Sequence, residues 1–140
     1  MAGTAEAAQA VNVAAVERFF ESVSQRELDG VLSVYAEDCE FTAPKSLPWG
    51  GTYRGHEGIR QLFESFMPYW KENEEHAEAI VAGEHEVMVV VRQRGRTRTD
   101  AAYDELLALH FEMRDGKLFR GRGFVDTSTM LRAIGAQPRT

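Results

Sequence analysis

The chain has 140 residues, 44% hydrophobic and 27% charged, with 22 acidic against 16 basic side chains and a formal charge of -6. That length and composition suit one globular domain and exclude disorder, collagen-like repeats and low complexity. No apolar run approaches the roughly 18 residues that span a bilayer. No basic-then-apolar leader opens the chain, and the lone Cys39 forms no intrachain disulfide, so the expected setting is cytoplasmic with no membrane partner.

Between Val11 and Val23, apolar residues at 13, 16, 19, 20 and 23 mark one buried helix stripe. Residues 1–9 carry no such stripe and are expected to be flexible, and 136–140 reads as a tail. A second, shorter helix is expected from Leu28 to Tyr35. YAEDCEFTAP then reads as extended and stops at Pro44, and the turn-rich stretch Lys45 to Gly55 reads as a loop. A third helix fits Glu57 to Trp70, with Ile59, Leu62, Phe63, Phe66 and Met67 at helical spacing and Pro68 near its end. From residue 75 the period drops to two, giving four strands at about 75–82, 86–97, 103–113 and 118–125. Arg114-Asp115-Gly116-Lys117 is the strongest hairpin signal, and Asp126 or Thr127 caps a closing helix that ends at Ile134. Helices followed by antiparallel strands predict a single α+β domain in which helices cover one face of a curved sheet.

In this order, YAEDCEFTAP, WGGTYRGHEGI, MRDGKLFRGRGFVD and the closing LRAIG resemble the SnoaL-like and ketosteroid isomerase-related proteins of the nuclear transport factor 2-like superfamily. The resemblance spans about residues 10 to 135. It implies a conical barrel of mostly antiparallel sheet wrapped around three N-terminal helices, an apolar pocket, and a homodimer through the outer sheet face. It also implies an isomerase, cyclase or hydrolase acting on a small apolar substrate without a cofactor. A ligand-binding or interaction module of the same fold is the alternative, because fold alone does not decide function.

The family's catalytic groups are absent from the matching positions. The isomerases pair an aspartate base with an oxyanion hole of a tyrosine and a protonated aspartic acid. Tyrosine, base and acid fall here on Phe19, Ala43 and Leu109. The cyclase histidine and aspartate fall on Leu109 and Gly123. The epoxide hydrolase set falls near Val91, Gln93 and Gly123. Tyr35 matches a supporting tyrosine of the isomerases.

Strand alternation gives an independent view of the pocket. If Leu109 and Gly123 point inward, so do Leu107, Phe111, Met113, Phe119, Gly121, Val125, Val87, Val89, Val91 and Gln93. Gly121 and Gly123 either widen the cavity or mark a bend. The expected ligand wall comprises Phe19, Trp49, Tyr53, Phe63, Met67, Val91, Gln93, Leu109, Phe111 and Gly123. Glu105 is the best-placed inward carboxyl for acid–base work, with Tyr35, Tyr103 and His110 as further catalytic candidates. A one-residue slip would exchange Leu109 for His110, and as aligned His110 faces outward. His56, His76 and His85 show no metal spacing, so no metal site is expected.

The charge is also uneven. Residues 1–91 carry 6 Lys/Arg and 16 Asp/Glu, and residues 92–140 carry 10 and 6. Arg92, Arg94, Arg96 and Arg98 form a stripe that, without interleaved aromatics, is expected to pair with Glu74, Glu75 or Glu78 rather than with nucleic acid.

Overall fold

The computed structural model describes residues 2–139. Helix α1 (Ala2–Ser24) reaches nine residues further back than the apolar stripe, and it buries Val16, Phe20 and Val23 on one side. Helix α2 (Leu28–Val34) packs beneath it. Gly30 makes the close approach possible, since a Cβ there would lie 2.3 Å from Ser22 Oγ. Strand β1 (Tyr35–Ala43) runs to Pro44, as expected.

The stretch read as a loop holds a short strand, β2 (Gly51–Arg54), paired antiparallel to β1. Helix α3 (Gly55–Phe66) turns its apolar side to the sheet and ends four residues early, because a 3-10 turn at Met67–Tyr69 carries Pro68. That turn releases the chain into β3 (Trp70–Ala82), which therefore starts five residues before the period of two becomes visible. Strands β4 (Glu86–Thr97), β5 (Ala102–Arg114) and β6 (Lys117–Phe124) follow. Asp115 and Gly116, at φ 51° and 74°, make the two-residue β5–β6 turn. Positive φ at both positions gives the twist that hairpins prefer. Helix α4 (Thr127–Ile134) is capped by Asp126, whose carboxylate accepts from Thr129 N at 3.1 Å, and stopped by Gly135 in the left-handed region.

The six strands lie in the order β2-β1-β6-β5-β4-β3, with β1 and β6 parallel and every other pair antiparallel. The sheet does not close. It curves around the helices as an open cone, so the expected barrel is an unclosed sheet whose mouth the helices fill. Val87, Val89, Val91, Phe111, Leu118, Met130 and Ile134 form the sealed floor between sheet and helices. The tail is tied down: Arg139 N donates to Ser46 O at 2.9 Å and its guanidinium to Gly50 O at 3.0 Å.

One inward assignment fails at a bulge. Register shifts between Glu112 and Met113, so Leu118 takes the buried position opposite Met113. Phe119 becomes the extra residue, stacked beneath the Arg114 and Arg120 guanidinium groups at 4.0 and 5.1 Å.

Candidate active site and its relatives

Between α1, α2, α3, α4 and the inner sheet face lies a cavity of about 130 Å³. Most of its wall is apolar, and Phe19, Phe41, Trp49, Phe63 and Phe66 supply rings. Of the expected residues, Phe19, Tyr35, Trp49, Phe63, Met67, Gln93, Leu109 and Gly123 line it. Gly123 leaves room there, while Gly121 permits close packing: a Cβ on Gly121 would lie 2.7 Å from both Phe111 and Phe41.

The other expected residues do not reach the cavity. Val91 and Phe111 are fully buried behind it, because the helices cover their part of the sheet. Tyr53 sits on β2 opposite Phe41, on the same sheet face but off the cavity lining, and its hydroxyl donates to Trp49 O at 2.9 Å. Tyr103 is buried edge-on against Trp70, with ring centroids 5.3 Å apart. Glu105 lies opposite Gln93 on the inward row, but the last β5–β6 pair is Ala108 with Phe124. Glu105 is thus three residues past that pair, half-buried and off the cavity wall. His110 is on the outer face, 3.7 Å from Glu86, and Leu109 faces in.

The carboxyl in the cavity is Glu75, assigned from the sequence to the arginine stripe. The stripe pairs with Glu78, one of the expected partners, and with aspartates, but not with Glu75. Arg92 meets Glu78 at 3.0 Å and Asp104 at 3.2 Å, Arg94 meets Asp104 at 3.3 Å, and Arg96 approaches Asp100 at 3.7 Å. Arg98, just beyond β4, lies over the Tyr69 ring at 4.2 Å. Glu75 points inward because a bulge between Trp70 and Glu72 shifts the alternation, setting 73 and 75 on the same buried side as Trp70. The bulge between Ala77 and Ala79 then shifts the alternation for the rest of the strand.

Glu75 is the end of a buried polar chain. Gln93 Nε2 donates to Asn73 Oδ1 at 2.8 Å, and Asn73 Nδ2 donates to Glu75 Oε2 at 2.9 Å. The Glu75 backbone is anchored to α1, since its N–H donates to Ser24 Oγ at 2.9 Å. Burial raises the Glu75 carboxyl above its ordinary range, with the Asn73 hydrogen bond partly opposing this. Burial likewise raises the Tyr35 phenol, helped by Cys39 and Glu75, so at neutral pH Tyr35 keeps its proton and can donate. Its backbone is held by His56, whose Nε2 lies 2.9 Å from Tyr35 O. Cys39 is buried, and its thiol is pushed up to about 11 by desolvation, which keeps it from acting as a nucleophile.

Tyr35 Oη, Glu75 Oε1 and Gln93 Oε1 accept or donate no hydrogen bond among the described residues. None is sealed in the core, where Trp70 Nε1 is the one orphaned polar atom. The site therefore presents a buried acid, a neutral donor and an amide carbonyl within apolar walls. Such an arrangement can move a proton on a bound molecule and hold its oxygen. Among the described residues, no three His, Cys, Asp or Glu side chains gather as a metal site would require, and no helix is long and apolar enough to cross a membrane.

Comparison with known proteins agrees with this architecture. An NTF2-like protein of unknown function from Burkholderia pseudomallei superposes with a TM-score of 0.84 at 22% identity, over 90% of this chain and 98% of that one. TerC, crystallised with polyporic acid, gives 0.83 at 22% identity, over 90% and 99%. A protein of ketosteroid isomerase-like fold from Catenulispora acidiphila, in complex with trimethylamine, gives 0.77 at 12% identity, over 87% and 92%. No curated protein matches the sequence. The model of the SnoaL-like domain matches residues 16–121, and with that span the chain belongs to the SnoaL-like family within the nuclear transport factor 2-like fold.

Proposed function

We propose that this protein binds a small, largely apolar molecule and acts on it by acid–base chemistry, as an isomerase, cyclase or hydrolase, with Glu75 as the proton-transferring group. The observation that carries the reading is the Glu75 carboxyl, buried in the cavity and held by one amide, with no cationic side chain on the cavity wall. A carboxyl raised by desolvation is matched to proton transfer near neutral pH. Tyr35 donates to an oxygen of the substrate, and the apolar wall excludes water from the exchange. Two structural relatives hold small organic molecules, polyporic acid with TerC and trimethylamine with the Catenulispora protein, which supports a ligand role for the cavity.

The competing reading is a binding module without chemistry. It draws on Phe19, Ala43, Leu109 and Gly123, none of which carries the acid–base group expected at its position. A turnover screen on ketones, enones and epoxides, run beside the Glu75→Gln variant, separates the two readings. Turnover that depends on Glu75 supports the enzyme; bound molecules released unchanged support the module.

The molecule acts as a homodimer through the outer sheet face. There Met88, Val90, Leu106 and Phe124 stay exposed on three adjacent strands, with Val90, Ala108 and Phe124 in one register row. Arg92, Arg94, Asp104, Glu112 and Arg120 rim this patch with both signs of charge, as a self-complementary two-fold face needs. Light scattering is expected to give twice the chain mass for the wild type and the chain mass for Phe124→Glu. An unchanged mass in a folded variant removes this interface.

A further inference from the structure

The polar chain behind the cavity has a direction, and the direction fixes what a ligand must bring. Glu75 Oε2 accepts from Asn73 Nδ2, and it can do so whether the carboxyl is ionised or carries its proton on Oε1. With its NH₂ committed to Glu75, Asn73 turns its carbonyl to Gln93. Gln93 must meet that carbonyl with its own NH₂, at 2.8 Å. The remaining atom, Gln93 Oε1, is then an acceptor on a side chain that is only 2% exposed and lines the cavity. It has no partner among the described residues and is not sealed off. Leaving a buried carbonyl unmet costs free energy, so the ligand that belongs here supplies a donor to it.

Size and charge narrow that ligand further. A cavity of about 150 Å³ holds one benzene ring, and this one measures about 130 Å³. A single ring fills it, and a larger molecule would extend out through its open side. No Lys, Arg or His lines the wall, so an anionic ligand would be buried beside Glu75 without a counter-charge. An ammonium group would need Glu75 ionised, the form that burial disfavours. A neutral hydroxyl meets the acceptor and buries no charge.

We infer that the cavity takes a single-ring compound bearing a neutral hydroxyl, of phenol, enol or alcohol type, whose O–H donates to Gln93 Oε1 while the ring lies among Phe19, Phe63 and Leu109. Gln93 is thereby the specificity-determining residue. The inference rests on the cavity being the ligand site proposed above, and its test reads binding without turnover.

Isothermal titration of the wild type with p-cresol, toluene, benzaldehyde, benzylamine and benzoate carries the test. One hydrogen bond to a buried acceptor is expected to make p-cresol bind roughly tenfold more tightly than toluene, with benzaldehyde, which can only accept from Tyr35, weaker than p-cresol, and benzoate not bound. In Gln93→Leu, checked for a cooperative thermal transition, the preference for p-cresol disappears while toluene still binds. Equal binding of p-cresol and toluene by the wild type overturns the inference. So does tighter binding of benzaldehyde or benzylamine, or a preference that survives in the folded variant. The wild-type panel decides even if that variant does not fold. Turnover that survives Glu75→Gln ends the catalytic reading and leaves the hydroxyl preference standing. Absence of that preference leaves Glu75 in its role.

Discussion

Glu75→Gln lowers kcat by roughly 10²- to 10⁴-fold, the usual contribution of a positioned acid or base. Gln has the same shape and can still accept from Asn73, so the fold and ligand affinity stay near wild type while the transferable proton is lost. The variant has a second signature in its stability. Burial raises the native carboxyl above 4.5, so above that pH the folded protein holds a proton the unfolded chain has released. Stability from this group is full below 4.5 and declines as pH rises through the raised native value. Glu75→Gln removes the decline. Thermal melts across that range are expected to show a flatter pH profile for the variant, and a higher Tm than wild type on the alkaline side. Parallel profiles for the two proteins would show that Glu75 is ionised and solvated in the native state, and would end its assignment as the acid.

Phe111→Ala is expected to cost about 3–5 kcal/mol, the usual range for deleting a core ring, and to lower Tm by roughly 10 °C or more. Phe111 is fully buried, with its ring centroid 5.6 Å from Phe19 and 6.3 Å from Phe41. Phe19 and Phe41 both line the cavity, so the lost ring is a support for its wall as well as core volume. A useful contrast is Phe124→Ala at very low protein concentration. That ring is 52% exposed, and its removal from an isolated chain shifts stability by no more than about 0.5 kcal/mol. Chemical denaturation of both variants checks the pair, and a loss at Phe111 under about 1 kcal/mol would mean that the cavity collapses freely.

These two positions also show where sequence reasoning succeeds and where it stops. Phe111 belongs to a strand whose alternation is unbroken, so its burial follows from period alone, and only its place behind the cavity needed the structure. The helical stripes of α1 and α3 and the Asp115-Gly116 turn were legible for the same reason: one local rule governs each. Glu75 was not. In WKENEEH the buried face carries Asn73 and Glu75 and the exposed face carries Lys71 and Glu74, so polarity gives no contrast between faces. The bulge after Ala77 then breaks the count backwards from the legible part of the strand. A polar residue at every second position just ahead of an apolar strand was the available signal, and it was indistinguishable from a solvated charge run. Strand β2 escaped because four residues among glycines carry too little pattern, and pairing with β1 makes them a strand. Glu105 failed on length rather than face: its row is inward, but β6 ends before reaching it.

The parallel pair inside the sheet bears on how the molecule comes into being. Strand β1 neighbours β6, whose residues follow some eighty positions later: Tyr35 is opposite Leu118, and Phe41 is opposite Gly121. Contacts so distant in sequence form slowly. On the ribosome, α1 to α3 and the β3–β5 meander can assemble while β1 still presents one unpaired edge. During that interval Tyr35 and Phe41 face open solvent across a trough with no far wall. The last strand to emerge both joins the two halves of the sheet and encloses the chamber. A nascent chain stalled before Lys117 would therefore be a sticky, ligandless intermediate and a natural client for a chaperone.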